Sequence, residues 1–537
     1  MVDGSGSGAG RDLVRQYDEF GAILGQARHE LAGGRRSAAA TWCQIAADYA
    51  WLNHTGLFAS LELEDVLAEL ARHVAGPGRP AAPSVERHET PRQVLHVATQ
   101  AYRVGGHTQM LSRWIAQDDR RTHRVLLTRQ GTTPFPAKLS DLLRGPDELA
   151  SLDHRRGDLL RHARALRSAA RSADVVLLHI HPYDVIPSLA FGVPDGMPPV
   201  ITVNHSDHAF WVGTRVTDVL LNLRDSGRDL AVSRRGIEPG RAAVLARPLG
   251  LLTERTLTRE QAKQRFGVRA DQVLIVTAAA GTKYEPLAPP SLLELIVPVL
   301  QANPAAMLLA AGPEPDGQWA EAARATGGRV RALGRLADVT ELHQAADGYL
   351  DSFPFASLTS MIESGSFGNP LLTYRGHPAD CAVLGADTRG LDELLLRPNN
   401  PAELRADLTL LITDAGWRAR RGEQTRAAIV DSHLGAGWQA GVDRLYAQAA
   451  GLPVPPAPTA PVRGDGPLDR LVDLVQSQTG YSTGRAGAER ENLGLLPTWQ
   501  RLGCWWRLAR TGSRPAVKSL APEWLLVPLS RWRSRLR

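Results

Sequence analysis

"GYLDSFPFASLTSMIESGSFGNPLLTY" spans residues 348–374 and sets a helix-like stretch between two short apolar runs. Strands without polar alternation are buried on both sides, and a helix between two of them makes the crossover of a parallel sheet. Thr359 and Ser360 stand at the start of that helix, and Glu363 lies one turn further on. The same rhythm runs outward. Ahead of it come "QVLIVTAAA", "AAMLLAAGP" and "RVRALG", and further back "VLHVAT", "HRVLLT", "DVVLLHIH" and "PPVITVNHS". Helical segments such as "QMLSRWIAQ" and "DLLRHARALRSAA" separate them, and the pattern restarts after "RPLGL". The expected fold class is α/β, with two tandem Rossmann-like, doubly wound domains at residues 93–245 and 246–430 and a cleft between them.

Residues 1–75 are predicted as an N-terminal helical region, because Trp42, Ile45, Ala46, Tyr49 and Leu52, then Leu63, Val66, Leu67 and Leu70, recur at three and four. Residues 76–92 read as a linker, since their Pro and Gly deny the backbone donors and helical geometry. After the second domain, "GWQAGVDRLYAQA" predicts a closing helix at 431–450, and the Pro-rich 451–468 a second linker. Residues 469–537 then form a separate, basic, Trp/Arg-rich tail.

Composition narrows the classes. The chain of 537 residues is 43 % hydrophobic and 22 % charged, globular and too long for one core. Its net charge is +6, yet residues 501–537 alone hold nine Lys or Arg against one Glu, so the body is slightly acidic. No helix-turn-helix, zinc-finger or RNP signature accompanies the basic end, and nucleic acid is not an expected partner. Cys43, Cys381 and Cys504 lie far apart with no CxxC or His spacing, which argues against a disulfide framework or a zinc site. The start, "MVDGSGSGAGRDL", has no apolar core, and no run of roughly eighteen apolar residues occurs. A cytoplasmic chain is expected.

In open α/β sheets ligands bind beyond the carboxyl ends of the strands, so candidates are sought there. After the first strand, Gly105 and Gly106 precede a helix that carries His107; paired glycines let amides approach an anion, although a tight turn with no ligand explains them too. His205 and His208 stand at the mouth of a later strand, where an imidazole suits general-base work or simply bonds loop backbone. His179 and His181 are similar candidates. No H-E-x-x-H or carboxylate-rich cluster accompanies them, so no metal is expected.

Lys283 ends the first strand of the second domain, as a point charge for phosphates would. Thr359 and Ser360 offer hydroxyls and amides at a helix N-terminus, and Glu363 can accept from a ribose diol. The same residues could merely cap a helix, but Lys283 on the same rim points to a nucleoside diphosphate. "GRLADVTELH" is the expected nucleobase loop, around Leu336 and Ala337.

Tandem Rossmann-like domains, "VGGH", the strand-end Lys and "IESGSFGNPLL" resemble a GT-B glycosyltransferase. In the glycosyltransferase group 1 family the last segment reads E-A-M-A-C-G-x-P-V-V, which Glu363, Gly368 and Pro370 match; eight residues before Glu363, where its retaining members carry a second Glu, stands Phe355. "TKYEPLAPPSLLELIVPVLQANPAAMLLAAGP" and "ADGYLDSFPFASLTSMIESGSFGNPLLT" more closely resemble the inverting family of O-GlcNAc transferases and bacterial adhesin N-glycosyltransferases, over residues 93–449. That resemblance implies transfer of a hexosyl or N-acetylhexosaminyl group from a nucleotide-sugar co-substrate, a UDP-sugar favoured, with no other cofactor. It implies Lys283 on the diphosphate, Thr359 with Ser360 on the β-phosphate and Glu363 on the ribose. Lys283 and His205 are then the expected catalytic residues, His205 activating or orienting a glycan, lipid-linked or protein acceptor, or else bonding only a donor sugar or phosphate.

The tail sets Trp499, Trp505, Trp506, Trp524 and Trp532 among arginines, which suits an anionic membrane surface and a peripheral place at the inner face of the membrane. Docking of those rings on the protein's own body is the alternative. Two other functions stay open on the same architecture: a sugar-nucleotide epimerase, and a non-catalytic nucleotide-sugar-binding or assembly subunit.

Overall fold

A computed structural model of the chain describes residues 6–76, 87–103, 106–154, 156–250, 254–455, 458–478, 483–513, 515–523 and 525–526. It divides into two units, the first made of residues 1–223, 227–244 and 441–537, the second of 224–226 and 245–440.

The first unit holds a sheet of seven parallel strands in the order β3-β2-β1-β4-β5-β6-β7. These are β1 (Gln93–Ala98), β2 (Thr122–Leu127), β3 (Leu149–Ser151), β4 (Val175–His179), β5 (Val200–Asn204), β6 (Val219–Asn222) and β7 (Ala242–Val244). Successive side chains point to opposite faces. Leu95 and Val97 of β1 and Val176 and Leu178 of β4 pack against Phe20 and Ile23 of helix Gly6–Ala32, Trp42 and Ile45 of helix Arg36–Leu52, and Leu67 of helix Leu61–Ala75. The N-terminal helices are thus one cover of the sheet. Helix Gly6–Ala32 lies within the predicted helical region, ahead of the repeats that mark it; Phe20, Ile23, Leu24 and Ala27 carry its period behind a Gly-rich start that hides it.

The C-terminal segment, set apart in the sequence, packs into this same core. Leu493, Leu496, Cys504 and Leu508 are buried among the N-terminal helices, and each fully buried leucine stabilises by about 1.5–3 kcal/mol. Asp469 bonds His54 at 2.9 Å and Arg234 at 2.7 Å, and Asn492 donates to Asp48 at 2.8 Å. Even the Pro-rich stretch is tied down, the amide of Val462 on Arg234 O at 3.1 Å and that of Gly464 on Gly56 O at 2.9 Å. A charge count along the chain does not register a narrow apolar stripe such as Cys504 and Leu508 on a basic helix. Trp524 and Trp532 lie outside the described residues.

The second unit holds five parallel strands in the order β10-β9-β8-β11-β12: β8 (Val273–Ala278), β9 (Ala306–Ala311), β10 (Val330–Ala332), β11 (Gly348–Leu350) and β12 (Leu371–Leu372). Its helices begin where the sequence signals a start. Thr258 with Gln261, and Ser291 with Glu294, form capping boxes for helices Arg259–Arg265 and Leu292–Ala302. Strand order reverses between β1 and β4 in the first sheet and between β8 and β11 in the second. Loops diverge at such switch points and leave room for a ligand. Among the described residues no helix is long and apolar enough to cross a membrane.

Candidate functional site

At the switch point of the second sheet, Lys283 sits in the short turn Gly281–Tyr284 that follows β8. Its ammonium donates to Ala356 O at 2.7 Å and lies 4.6 Å from the centre of the Phe355 ring. Both partners belong to the loop after β11, so one side chain ties together the two loops that flank the switch. Phe355 therefore covers the lysine at the position where a second Glu would stand in a retaining enzyme. Gly312, after β9, has φ +117°, and a Cβ there would come within 1.6 Å of Ala279 O, so only glycine lets these loops approach.

Behind Lys283, Asp351 is fully buried; its Oδ1 accepts from the amides of Ser352 at 2.8 Å and Ser357 at 2.9 Å. Burial pushes its carboxyl up to about 6, against the Ser357 amide and Lys283, which favour the charged form. Those amides shape the entry to helix Leu358–Ser366, which puts Thr359 and Ser360 in its first turn and Glu363 one turn on, all half-buried. Ser360 Oγ lies 3.4 Å from His343 Nε2, on helix Thr340–Ala345. Burial pushes His343 down to about 4, with Glu363 and Asp338 opposing, so the ring is neutral at pH 7. The loop of Leu336 and Ala337 leads into that helix: Leu336 packs on the core, Ala337 is exposed, and Asp338 takes the amide and hydroxyl of Thr340 at 2.8 and 2.7 Å. Lys283, Thr359, Ser360 and Glu363 thus share one rim, and the 336–337 loop adjoins it through His343.

The rim of the first sheet is built from rings. Gly106 opens helix Gly106–Gln117 after β1, and Gly105 lies outside the described residues. His107 stacks on His205, ring centres 4.3 Å apart and planes 21° from parallel. His181, after β4, meets His107 edge-on at 5.4 Å and holds its Nδ1 2.9 Å from the Tyr183 hydroxyl. His208 turns to Asp207, at 3.6 Å.

Behind His205 runs a line of histidines of which strand-end reasoning reveals only His179, not His96 or His123. His205 Nε2 is 3.3 Å from His179 Nδ1, His179 Nε2 is 3.1 Å from His96 Nδ1, and His96 Nε2 is 2.9 Å from His123 Nδ1. The line ends with His123 Nε2 at 2.6 Å from the backbone oxygen of Asp118. The rings meet because β1 lies between β2 and β4 and their side chains share the face opposite the N-terminal helices, with Trp114 edge-on to His179 at 6.1 Å. Burial holds His179 down at about 3 and His96 well below the usual range. Beyond the ends of β2 and β3 the rim also holds a cavity of about 540 Å³ lined in part by Arg129, Asp153, Arg161, His162, Arg501 and Glu523.

No protein-family model matches the sequence, and no curated protein does. Solved structures do match. The HepE protein of Anabaena in complex with UDP is 13 % identical, covers 66 % of this chain and 98 % of its own, and superposes with a TM-score of 0.50. A glycosyltransferase from Rickettsia africae is 10 % identical, with 67 % and 99 % covered and a TM-score of 0.52. The O-GlcNAc transferase of Thermobaculum terrenum, as a point variant, is 16 % identical, with 80 % and 85 % covered and a TM-score of 0.48. The first two carry the likeness: with its seven- and five-stranded parallel sheets, the chain has the GT-B glycosyltransferase fold.

Proposed function

We propose that the protein is a glycosyltransferase that moves a sugar from a nucleoside-diphosphate sugar, a UDP-sugar favoured, to an acceptor hydroxyl or amide without a divalent ion. The observation that carries this reading is the 2.7 Å bond from Lys283 to Ala356 O, which sets a cation beside the helix start bearing Thr359, Ser360 and Glu363. A cation, two hydroxyls and helix-end amides offset charge as it builds on a departing diphosphate, and a preorganised set does so at little reorganisation cost. Glu363 holds the ribose. His205 takes the acceptor's proton, and Gly106, His107 and the 540 Å³ cavity serve the acceptor side.

The test is sugar release from UDP-, GDP- and dTDP-sugars by the purified chain in EDTA, with Lys283→Ala beside it. Release with one nucleotide, lost in Lys283→Ala, supports the reading; no release and no binding with any of them overturns it.

A second surface favours an anionic membrane as the place of action. On helix Thr498–Arg510, Cys504 and Leu508 are buried and Arg507 is paired with the buried Glu489, whereas Trp499 and Trp506 are 84 % and 61 % exposed on the helix that also carries Arg510. Indoles at the headgroup level with arginines on phosphates fit such a surface. Co-sedimentation with phosphatidylglycerol vesicles should be lost in Trp499→Ala/Trp506→Ala; binding that both substitutions leave intact speaks against it.

A further inference from the structure

We propose that the buried histidine line fixes which nitrogen of His205 is basic: the backbone carbonyl of Asp118, acting through His123, His96 and His179, holds His205 in its Nε2–H form and makes Nδ1 the proton acceptor. The deduction starts at the far end. A carbonyl oxygen only accepts, so His123 carries its proton on Nε2, 2.6 Å from Asp118 O. A neutral imidazole has one N–H, so His123 Nδ1 is a lone pair and His96 Nε2, at 2.9 Å, is the donor. The same step makes His179 Nε2 the donor to His96 Nδ1 at 3.1 Å, and His205 Nε2 the donor to His179 Nδ1 at 3.3 Å. Reversing the line would aim a lone pair at the Asp118 carbonyl in a buried site, which leaves both acceptors unsatisfied.

The chain passes on orientation and not charge. It holds only while the inner rings are neutral, and they are: His96 and His179 are buried in the sheet, where a charge is poorly solvated. Rested on the transferase reading, this defines the base. The acceptor's proton moves to His205 Nδ1, the electron pair it leaves forms the bond to the sugar carbon, and the diphosphate departs with the pair of the broken bond. The Nε2–H stays on His179, so the imidazolium remains at the rim. His179, His96 and His123 are positioning residues, and His205 alone meets the acceptor.

The test is the tautomer of His205 by nitrogen–proton correlation NMR of the full chain labelled on histidine, without substrate, assigned against His205→Gln. The expected result is a single Nε2–H species in the wild type and a mixture in His123→Phe, where the anchor is gone. A wild-type Nδ1–H species, or a His205 signal unchanged in folded His123→Phe, overturns the proposal. Should His123→Phe not fold, His96→Leu cuts the line one ring later and is read the same way, and the wild-type spectrum decides in any case. Because no substrate is present, the two readings fail separately: the Nε2–H species without any sugar transfer sinks the transferase assignment, whereas transfer with an Nδ1–H species sinks the histidine line.

Discussion

At the strand ends of the first sheet histidine rings cluster, His107, His181 and His205, with His179, His96 and His123 behind them; at the ends of the second a lysine stands with two hydroxyls and a carboxylate at a helix start. The two sheets share a topology of parallel strands with a switch point, so the difference lies wholly in what the loops and inner strand faces carry. Burial of imidazoles favours the neutral form, which handles protons. The ammonium of Lys283, held against Ala356 O, offers a point charge that suits an anion. On the reading proposed above, one architecture supplies acid–base chemistry at one rim and electrostatic holding at the other.

The sharpest way to break this contrast is to disable one rim and read the other. His205→Gln should lower turnover about 10²–10⁴-fold, the usual reach of a general base, while thermal stabilisation by UDP is unchanged. Loss of that stabilisation would mean the ring serves the donor. Lys283→Ala should lower turnover about 10²–10³-fold and abolish the stabilisation as well, and Lys283→Arg should restore it only in part, because a planar fork does not replace a point charge.

Acidity separates the rims with opposite signs. Asp351 has its carboxyl raised from 3.8 to about 6, so the stability it lends is complete below pH 3.8 and lost as pH rises through 6. The shift is worth on the order of 3 kcal/mol at 1.36 kcal/mol per pH unit. His179 and His181 are lowered from 6.5 to about 3, so their share is complete above pH 6.5 and lost as pH falls through 3. Denaturant unfolding followed from pH 3 to 8 should show Asp351→Asn more stable than wild type above pH 6, and His179→Phe less sensitive to acid. An Asp351→Asn profile parallel to wild type would contradict the first. The smallest effect belongs to Thr359→Ala, which should weaken UDP binding about tenfold, the loss of one hydrogen bond to a charged group.

Much of this was legible in the sequence, for physical reasons. Runs such as "VLIVTA" and "VVLLH" are apolar on both faces and read as inner parallel strands, and Lys283, His205, Thr359 and Glu363 follow from asking what stands at their carboxyl ends. The edge strands "LAS" and "AAV" and the short "VLLN" left no run long enough to register. His96 and His123 escaped because they lie inside strands, and residues that are neighbours across a sheet are not neighbours in the chain. Asp351 stands in the very stretch that discloses the fold, yet only its burial behind Lys283 singles it out. The C-terminal segment misled because a count of its charges does not register Leu493, Leu496 and Leu508, which hold it to the N-terminal helices, nor that Arg501 is itself buried.

The most direct test of the donor rim is isothermal titration of UDP into the full chain in EDTA, wild type against Lys283→Ala. Saturable 1:1 binding by the wild type that disappears in a folded Lys283→Ala protein is the predicted result. Equal binding by both, or binding only when a divalent ion is restored, would contradict the claim that Lys283 and the start of helix Leu358–Ser366 hold the diphosphate.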